Sequence, residues 1–558
     1  MEAEGNPIMR QAFLAIGLAL LLCACRSTPP DNDHIAPIIP ATGPFVPVNA
    51  VAAQRLAEPP LIDRQPSRPR QPDMFTNEPA EELSDLLPRQ PRLPIAGFTT
   101  VNETPATTIP IGADTASYGM ARQMLRMGRW PAAAAVRPEE FLNAFAFDYP
   151  RARRAQPLEP FVAMVPAPWD ATRRLLHLGI RALDAPRGVR PPLNLTFVLD
   201  ASASMFAAER LPIVIEGIRA LIPRLNQRDR LSIITYSPGT RTLLDQMRGD
   251  RRVFIEAALG ELRPGVAEPA GSGIDAAYAA AGRALDTAAL NRVILVTDGD
   301  FNLGAANPQA LEALVKRQRE RGIRLSTITV GLDAPADTTM RALAHAGGGL
   351  HGFAADAAGF QQLVNDDIER GRAIVAQALR LEVEFNIDRV QEYRLIGFTS
   401  RRLSQADFAA DRLGAGEIPA GRAITAIFEL AAPVSGFRSY STRAMMASTD
   451  YATLRIRHTP PDGGSSRLIQ RVVVERDWRA NLTAASPETR FGVSVAGFAL
   501  MLGQAASIDW PYAAIEEAAA QGIGDDPDGK RADFLTAVHA AGELQLLRPR
   551  GAPAPVRP

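Results

Sequence analysis

The chain has 558 residues, too many for one hydrophobic core, so several domains are expected. Apolar residues make up 46% and charged residues 22%, an ordinary globular balance, and 61 basic residues offset 61 acidic ones. That neutrality excludes a global field drawing the protein to nucleic acid or to an anionic membrane surface, and two cysteines leave no disulfide framework or cysteine metal cluster.

Both cysteines, Cys23 and Cys25, close the apolar run "AFLAIGLALLLCAC" that follows Arg10. About 14 residues are short for a bilayer span and suit the apolar region of a signal peptide. The stretch "LCAC", residues 22–25, resembles a bacterial lipobox, with small Ala24 before Cys25. The resemblance implies a lipoprotein signal peptide over residues 1–25 and lipidation of Cys25. Arg26, rather than Asp, follows the cysteine, which by the sorting tendency of such lipoproteins favours a periplasm-facing position in the outer membrane. The acidic start "MEAEGNPI" is unusual for a signal peptide, and Met9 offers a second initiator. Residues 26–95 carry fifteen prolines and no sustained apolar period, so they read as a disordered tether. At about 3.1 Å per residue an extended tether would reach well beyond about 100 Å.

Residues 96–190 form a first folded, α+β region. "DTASYGMARQMLRMG" and "RPEEFLNAF" have helical spacing, and "RRLLHLGIRAL" alternates as a strand leading towards the sheet that follows. Residues 191–370 alternate strand and helix. The strands are "NLTFVLD", "DRLSIITYS", "RTLLDQM", "RVILVTD", "IRLSTITVG" and "LHGFA"; the helices are "RLPIVIEGIRALIPRL", "RRVFIEAALGEL", "GIDAAYAAAGRAL", "PQALEALVKRQRERG" and "TTMRALAHAGG". Near-continuous apolar strands separated by helices predict an α/β fold, a doubly wound, mostly parallel sheet covered on both faces. From 375 to 546 the pattern becomes β-sandwich-like, with "LRLEVEFNIDRVQEYRLIGF", "AITAIFEL", "YATLRIRH" and "RLIQRVVVERD", and then helical, with "RFGVSVAGFALMLGQ" and "KRADFLTAVHAAGEL". Residues 547–558 read as a disordered tail.

In open α/β sheets, ligands bind beyond the carboxyl ends of the strands. Two strand ends carry carboxylates: Asp200 in "FVLDASASM" and Asp298 in "TDGDFN". If those strands are neighbours, Asp200, Ser202, Ser204 and Asp298 converge on one edge. Such hard oxygen donors suit Mg²⁺, or another hard divalent ion such as Mn²⁺ or Ca²⁺.

"DASASM" and "TDGD" in these places resemble the von Willebrand factor type A (VWA) domain and its metal-ion-dependent adhesion site (MIDAS), Asp-x-Ser-x-Ser. The flanking "ADTASYGMARQMLRMGRWPAAAAVRPEEFLNAFAFDYP", "VEFNIDRVQEYRLIGFTSRRL" and "FGVSVAGFALML" resemble the N-terminal and C-terminal modules of a bacterial family of VWA lipoproteins, so the likeness runs over roughly residues 95–546. It implies Ser202 and Ser204 as direct ligands, Asp200 and Asp298 acting through water, and a partner protein's carboxylate completing the shell. One departure matters. Where the family has a threonine in a glycine-rich loop, "LRPGVAEPAGSGI" places Glu268, with Ser272 the nearest hydroxyl. Glu268 in the shell would tighten the cation and lessen the need for an outside carboxylate.

Plainer readings attach to other residues. Asp300 and Asn302 shape a turn, Asp275 caps a helix start, His345 and His351 are structural, and "KRQRERG" is a solvated helix face. No nucleophile elbow, Walker loop, zinc-protease motif or dinucleotide fingerprint is present in the sequence. The expectation is therefore a non-enzymatic, cation-dependent protein-binding scaffold lipoprotein of the cell envelope, with an unknown envelope protein as partner and no nucleic acid. A structural lipoprotein with a vestigial metal site, and more remotely a metal-dependent hydrolase, are the alternatives.

Overall fold

The computed structural model describes residues 97–185, 188, 190–236, 239–263, 273–299, 308–332, 337–398, 416–433, 449–504 and 508–547. Cys25 and the tether, Glu268, Ser272, Asp300, Asn302 and the tail from 548 lie outside the described residues.

Two short strands, β1 (Thr99–Thr100) and β2 (Ala106–Ile109), precede helices α1 (Ala116–Arg126) and α2 (Pro138–Asn143), and then a hairpin of β3 (Leu158–Ala167) and β4 (Asp170–Ala182). The central region follows as β5 (Leu193–Asp200), α3 (Leu211–Leu221), β6 (Arg230–Tyr236), β7 (Arg241–Arg248), α4 (Arg252–Gly260), α5 (Gly273–Arg283), β8 (Leu290–Thr297), α6 (Pro308–Glu320), β9 (Ile323–Val330), α7 (Asp337–Gly347), β10 (Gly348–Ala354) and α8 (Ala357–Gly371). The last region comprises β11 (Ile374–Phe385), β12 (Glu392–Leu395), β13 (Gly416–Pro419), β14 (Ala423–Ala431), β15 (Ala452–Thr459), β16 (Arg467–Val473), α9 (Pro487–Leu502), α10 (Tyr512–Ala520) and α11 (Lys530–Leu547).

The six central strands make one sheet in the order β10-β9-β8-β5-β6-β7, parallel except for β7. Every residue of β5 is buried. Phe197 and Leu199 enter the core beneath α3 and α8, while Val198 enters the opposite core beneath α5, α6 and α7. This is the α/β architecture expected from the alternation of apolar strands and amphipathic helices. Helix α8 is absent from the sequence-predicted elements; its stripe of Phe360, Val364 and Ile368 at every fourth position is buried, and Asp356 caps it by accepting from Gly359 N at 2.7 Å.

The strand over 170–182 does not lead into that sheet. β4 pairs antiparallel with β14 from far later in the chain, in a second sheet ordered β1-β12-β14-β4-β3. A third sheet, β13-β11-β15-β16, takes β2 onto β11. Regions 96–190 and 375–546 thus pool their strands. Long-range antiparallel pairing leaves no mark in local periodicity, so the expectation from sequence could not show it. β3 shows no clear strand pattern because Pro160 and Pro166 interrupt it, and it lies at a sheet edge, where proline is tolerated.

Alternation along β4 sorts the two faces. Leu176, Leu178 and Ile180 meet the third sheet's apolar side chains, whereas Leu175 joins a helical layer built on α1, α2, α9, α10 and α11. The flanks are tied to the central sheet at His351, among other places: His351 N donates to Asp114 Oδ1 at 3.1 Å, and Thr115 N donates to His351 O at 3.0 Å. Among the described residues no helix is long and apolar enough to cross a membrane.

Between β4 and the helical layer lies a buried polar chain. The Tyr149 hydroxyl bonds Thr425 Oγ1 and His177 Nε2, both at 2.8 Å, and His177 Nδ1 meets Thr489 Oγ1 at 3.2 Å. Burial pushes the His177 imidazole down to about 3, so it stays neutral in the native state. The unfolded chain protonates this histidine below its ordinary value of about 6.5. A depressed native value makes its contribution fully present above that pH and progressively lost as pH falls towards about 3. The fall in stability between those limits, measured by urea denaturation across pH, is expected to be shallower in His177→Gln than in the wild type.

Candidate functional site

The chain turns from β5 to β6 on one side and places β8 on the other, so the carboxyl end of β5 is the point where strand order reverses. In register, Asp200 stands opposite Tyr236 on β6, and Leu199 opposite Val296 on β8. The apolar run that drives β5 into the core therefore delivers Asp200 to the crevice, itself 0% exposed.

A buried carboxylate needs donors, and three elements supply them. Asp200 Oδ1 accepts from Ser202 N at 2.9 Å, a local turn typical of Asp. Oδ2 accepts from Thr297 Oγ1 at 3.0 Å and from the Tyr236 hydroxyl at 3.4 Å. Burial pushes the Asp200 carboxyl above the usual carboxylate range, the Ser202 and Thr297 hydrogen bonds oppose that rise, and the charge of Asp298 adds to it. Burial, and then the charge of Asp200, raise the Tyr236 phenol well above its ordinary value, so it remains a hydroxyl.

Beyond Asp200 the chain makes a single 3₁₀ turn, Ala203–Phe206, anchored by the buried Met205. The Ser202 and Ser204 hydroxyls lie 2.9 Å apart. Arg210, at the cap of α3, donates through Nη1 to Ser204 O at 2.9 Å and to the carboxylate of the buried Asp298. Asp200, Ser202, Ser204 and Asp298 are thereby gathered at one sheet edge. Asp275 sits in the first turn of α5, consistent with a role at the helix start; His345 lies in the last turn of α7; and His351 Nδ1 meets Thr327 Oγ1 at 2.9 Å inside the sheet.

Three residues were missed by the sequence reading. Thr297 was visible only as the residue before Asp298, and its hydroxyl also accepts from Gly299 N at 3.1 Å. Tyr236 needed the β5–β6 register. Arg210 is one of 61 basic residues and carried no signal of its own.

The donors fit a hard divalent cation in kind: two hydroxyls and two carboxylates, all oxygen, with the Arg210 guanidinium on the Asp298 carboxylate and the Ser204 carbonyl. Among the described residues no three His, Cys, Asp or Glu side chains are grouped to hold a metal ion, so the hydroxyls are essential to such a shell.

The VWA domain family matches residues 194–366, a von Willebrand factor family matches residues 92–177, and the family described as the C-terminal part of the uncharacterized protein YfbK matches residues 372–544. The uncharacterized protein YfbK of Escherichia coli strain K12 is 32% identical over 458 residues, covering 79% of this chain and 79% of that protein. The chain belongs to the YfbK family. Human inter-alpha-trypsin inhibitor heavy chain H2 is 24% identical over 166 residues, covering 28% of this chain and 17% of that protein. Among solved structures, a von Willebrand factor type A protein from Catenulispora acidiphila is 15% identical and covers 69% of this chain and 95% of that one, with a TM-score of 0.37. Residues 194–366 of this chain are thus a VWA domain, set between an N-terminal and a C-terminal region.

Replacing Thr297 by Val removes the donor to Asp200 Oδ2 and the acceptor for Gly299 N at nearly constant volume. The loss expected is about 1–3 kcal/mol in urea denaturation with chelator present, with Thr297→Ser close to wild type.

Proposed function

We propose that this protein is a lipid-anchored scaffold of the bacterial cell envelope that captures a partner protein through a divalent cation. The observation that carries the reading is the convergence of Asp200, Ser202, Ser204 and Asp298 at the switch point of a VWA sheet. In this role Ser202 and Ser204 hold Mg²⁺, Mn²⁺ or Ca²⁺ directly, Asp200 and Asp298 act through water, and Glu268 stands at the position of the family threonine. The ion supplies an electrophile for an acidic side chain of the partner; the protein's own task is to hold the oxygens in place. Phe206, 61% exposed beside the serines, gives an approaching partner an apolar contact. Among the described residues no further base stands beside these two aspartates to activate water, which favours binding over hydrolysis.

A second reading, a structural lipoprotein with a vestigial site, is favoured by one observation: the Asp298 carboxylate is already engaged by Arg210.

Calorimetry with Mg²⁺ and Mn²⁺ on the wild type should show binding that Asp200→Ala and Asp298→Ala abolish and Glu268→Ala weakens. Pull-downs from envelope extract should yield a partner released by chelator. Absence of cation binding in the wild type would remove this function and leave the structural one. Cys25→Ser should move the protein from the membrane fraction to the soluble fraction.

A further inference from the structure

One Arg210 nitrogen joins the serine loop to the strand-end aspartate, the two elements between which an ion would be shared. The pair is shielded, with the Arg210 side chain 15% exposed and that of Asp298 2%. Room for the arginine is kept by Gly331, just past β9, where a Cβ would lie 2.8 Å from Arg210 Nε and 3.3 Å from its Cγ. Gly331 also has a φ of +80°, which a side chain would strain. The arginine thus lies in a groove that the backbone leaves open for it, across the carboxyl ends of β8 and β9.

Resting on the reading of this edge as a cation site, we propose that Arg210 is a tethered counter-ion, and that a divalent cation binds only by displacing it. The position requires the exchange. One Arg210 nitrogen already fills the place between Ser204 and the Asp298 carboxylate that an ion shared by the two elements would take, and a divalent ion set beside a guanidinium in that shielded place would be repelled by it. Occupancy by Arg210 also lowers the apparent affinity by the fraction of molecules in which the site is open, so an arginine engaged about 95% of the time weakens the cation about 20-fold. Because Arg210 holds Ser204 O, its release loosens the turn that carries Phe206, so cation capture reaches the surface that a partner would touch.

The test is Mn²⁺ titration of the detergent-solubilised full chain, by calorimetry and by the Mn²⁺ spin-resonance signal, with wild type, Arg210→Met and Arg210→Lys. Methionine keeps an unbranched apolar stem in the groove and removes the charge. Arg210→Met is expected to bind Mn²⁺ about tenfold or more tighter than wild type. It should melt lower than wild type in chelator, with the deficit gone in saturating Mn²⁺. Wild-type binding with equal or weaker binding by Arg210→Met overturns the counter-ion proposal and leaves the cation site standing. No binding by either protein overturns both. If Arg210→Met does not fold, Arg210→Lys decides: its shorter side chain reaches less well and should bind Mn²⁺ about threefold tighter than wild type, and equal or weaker binding overturns the proposal.

Discussion

An aspartate buried at the end of the central strand is the constraint around which the VWA domain is arranged. Asp200 has no solvent to stabilise its charge, so the fold brings hydrogen-bond donors to it from three places. One comes from its own chain at Ser202, one from β6 at Tyr236 and one from β8 at Thr297, 97 positions away. Those donors exist only if β5 lies between β6 and β8 in the observed register. Stability and site geometry are therefore coupled: a slip of one residue would turn Asp200 away from Thr297 and bury it unpaired.

The second carboxylate, Asp298, is satisfied in another way. It is engaged by a full positive charge from the start of α3. Neutral hydroxyls polarise towards whatever cation arrives, whereas a guanidinium must leave for one to do so. The two aspartates, alike in sequence, differ in what their neighbours allow.

Around this domain the flanking regions form one body of two antiparallel sheets and a helical layer. One buried carboxylate joins the two flanking regions: Trp169, from the β3–β4 turn, donates to Glu429 on β14 at 3.3 Å, and Arg394 on β12 donates to the same carboxylate at 2.7 Å. The central sheet is linked to that body through Asp114 and His351 on one side and through the Arg324–Glu417 ion pair on another. A VWA domain held at several points by its flanking regions keeps a set orientation relative to them.

Much of this was legible in the residues. The six central strands, five of the helices between them and the gathering of Asp200, Ser202, Ser204 and Asp298 followed from apolar periodicity and from carboxylates at strand ends. Those are local signals: side-chain alternation reports burial, and a polar cluster after an apolar run reports a strand end. Three things were decided by tertiary structure alone. The partner of β4 is a strand from the other end of the chain, because antiparallel pairing depends on which apolar faces meet and not on local pattern. Thr297 and Tyr236 reach Asp200 because of interstrand register, which no single strand encodes. Arg210 reaches Asp298 because Gly331 leaves a groove for it, a steric fact that arises only when β9 is laid beside β8.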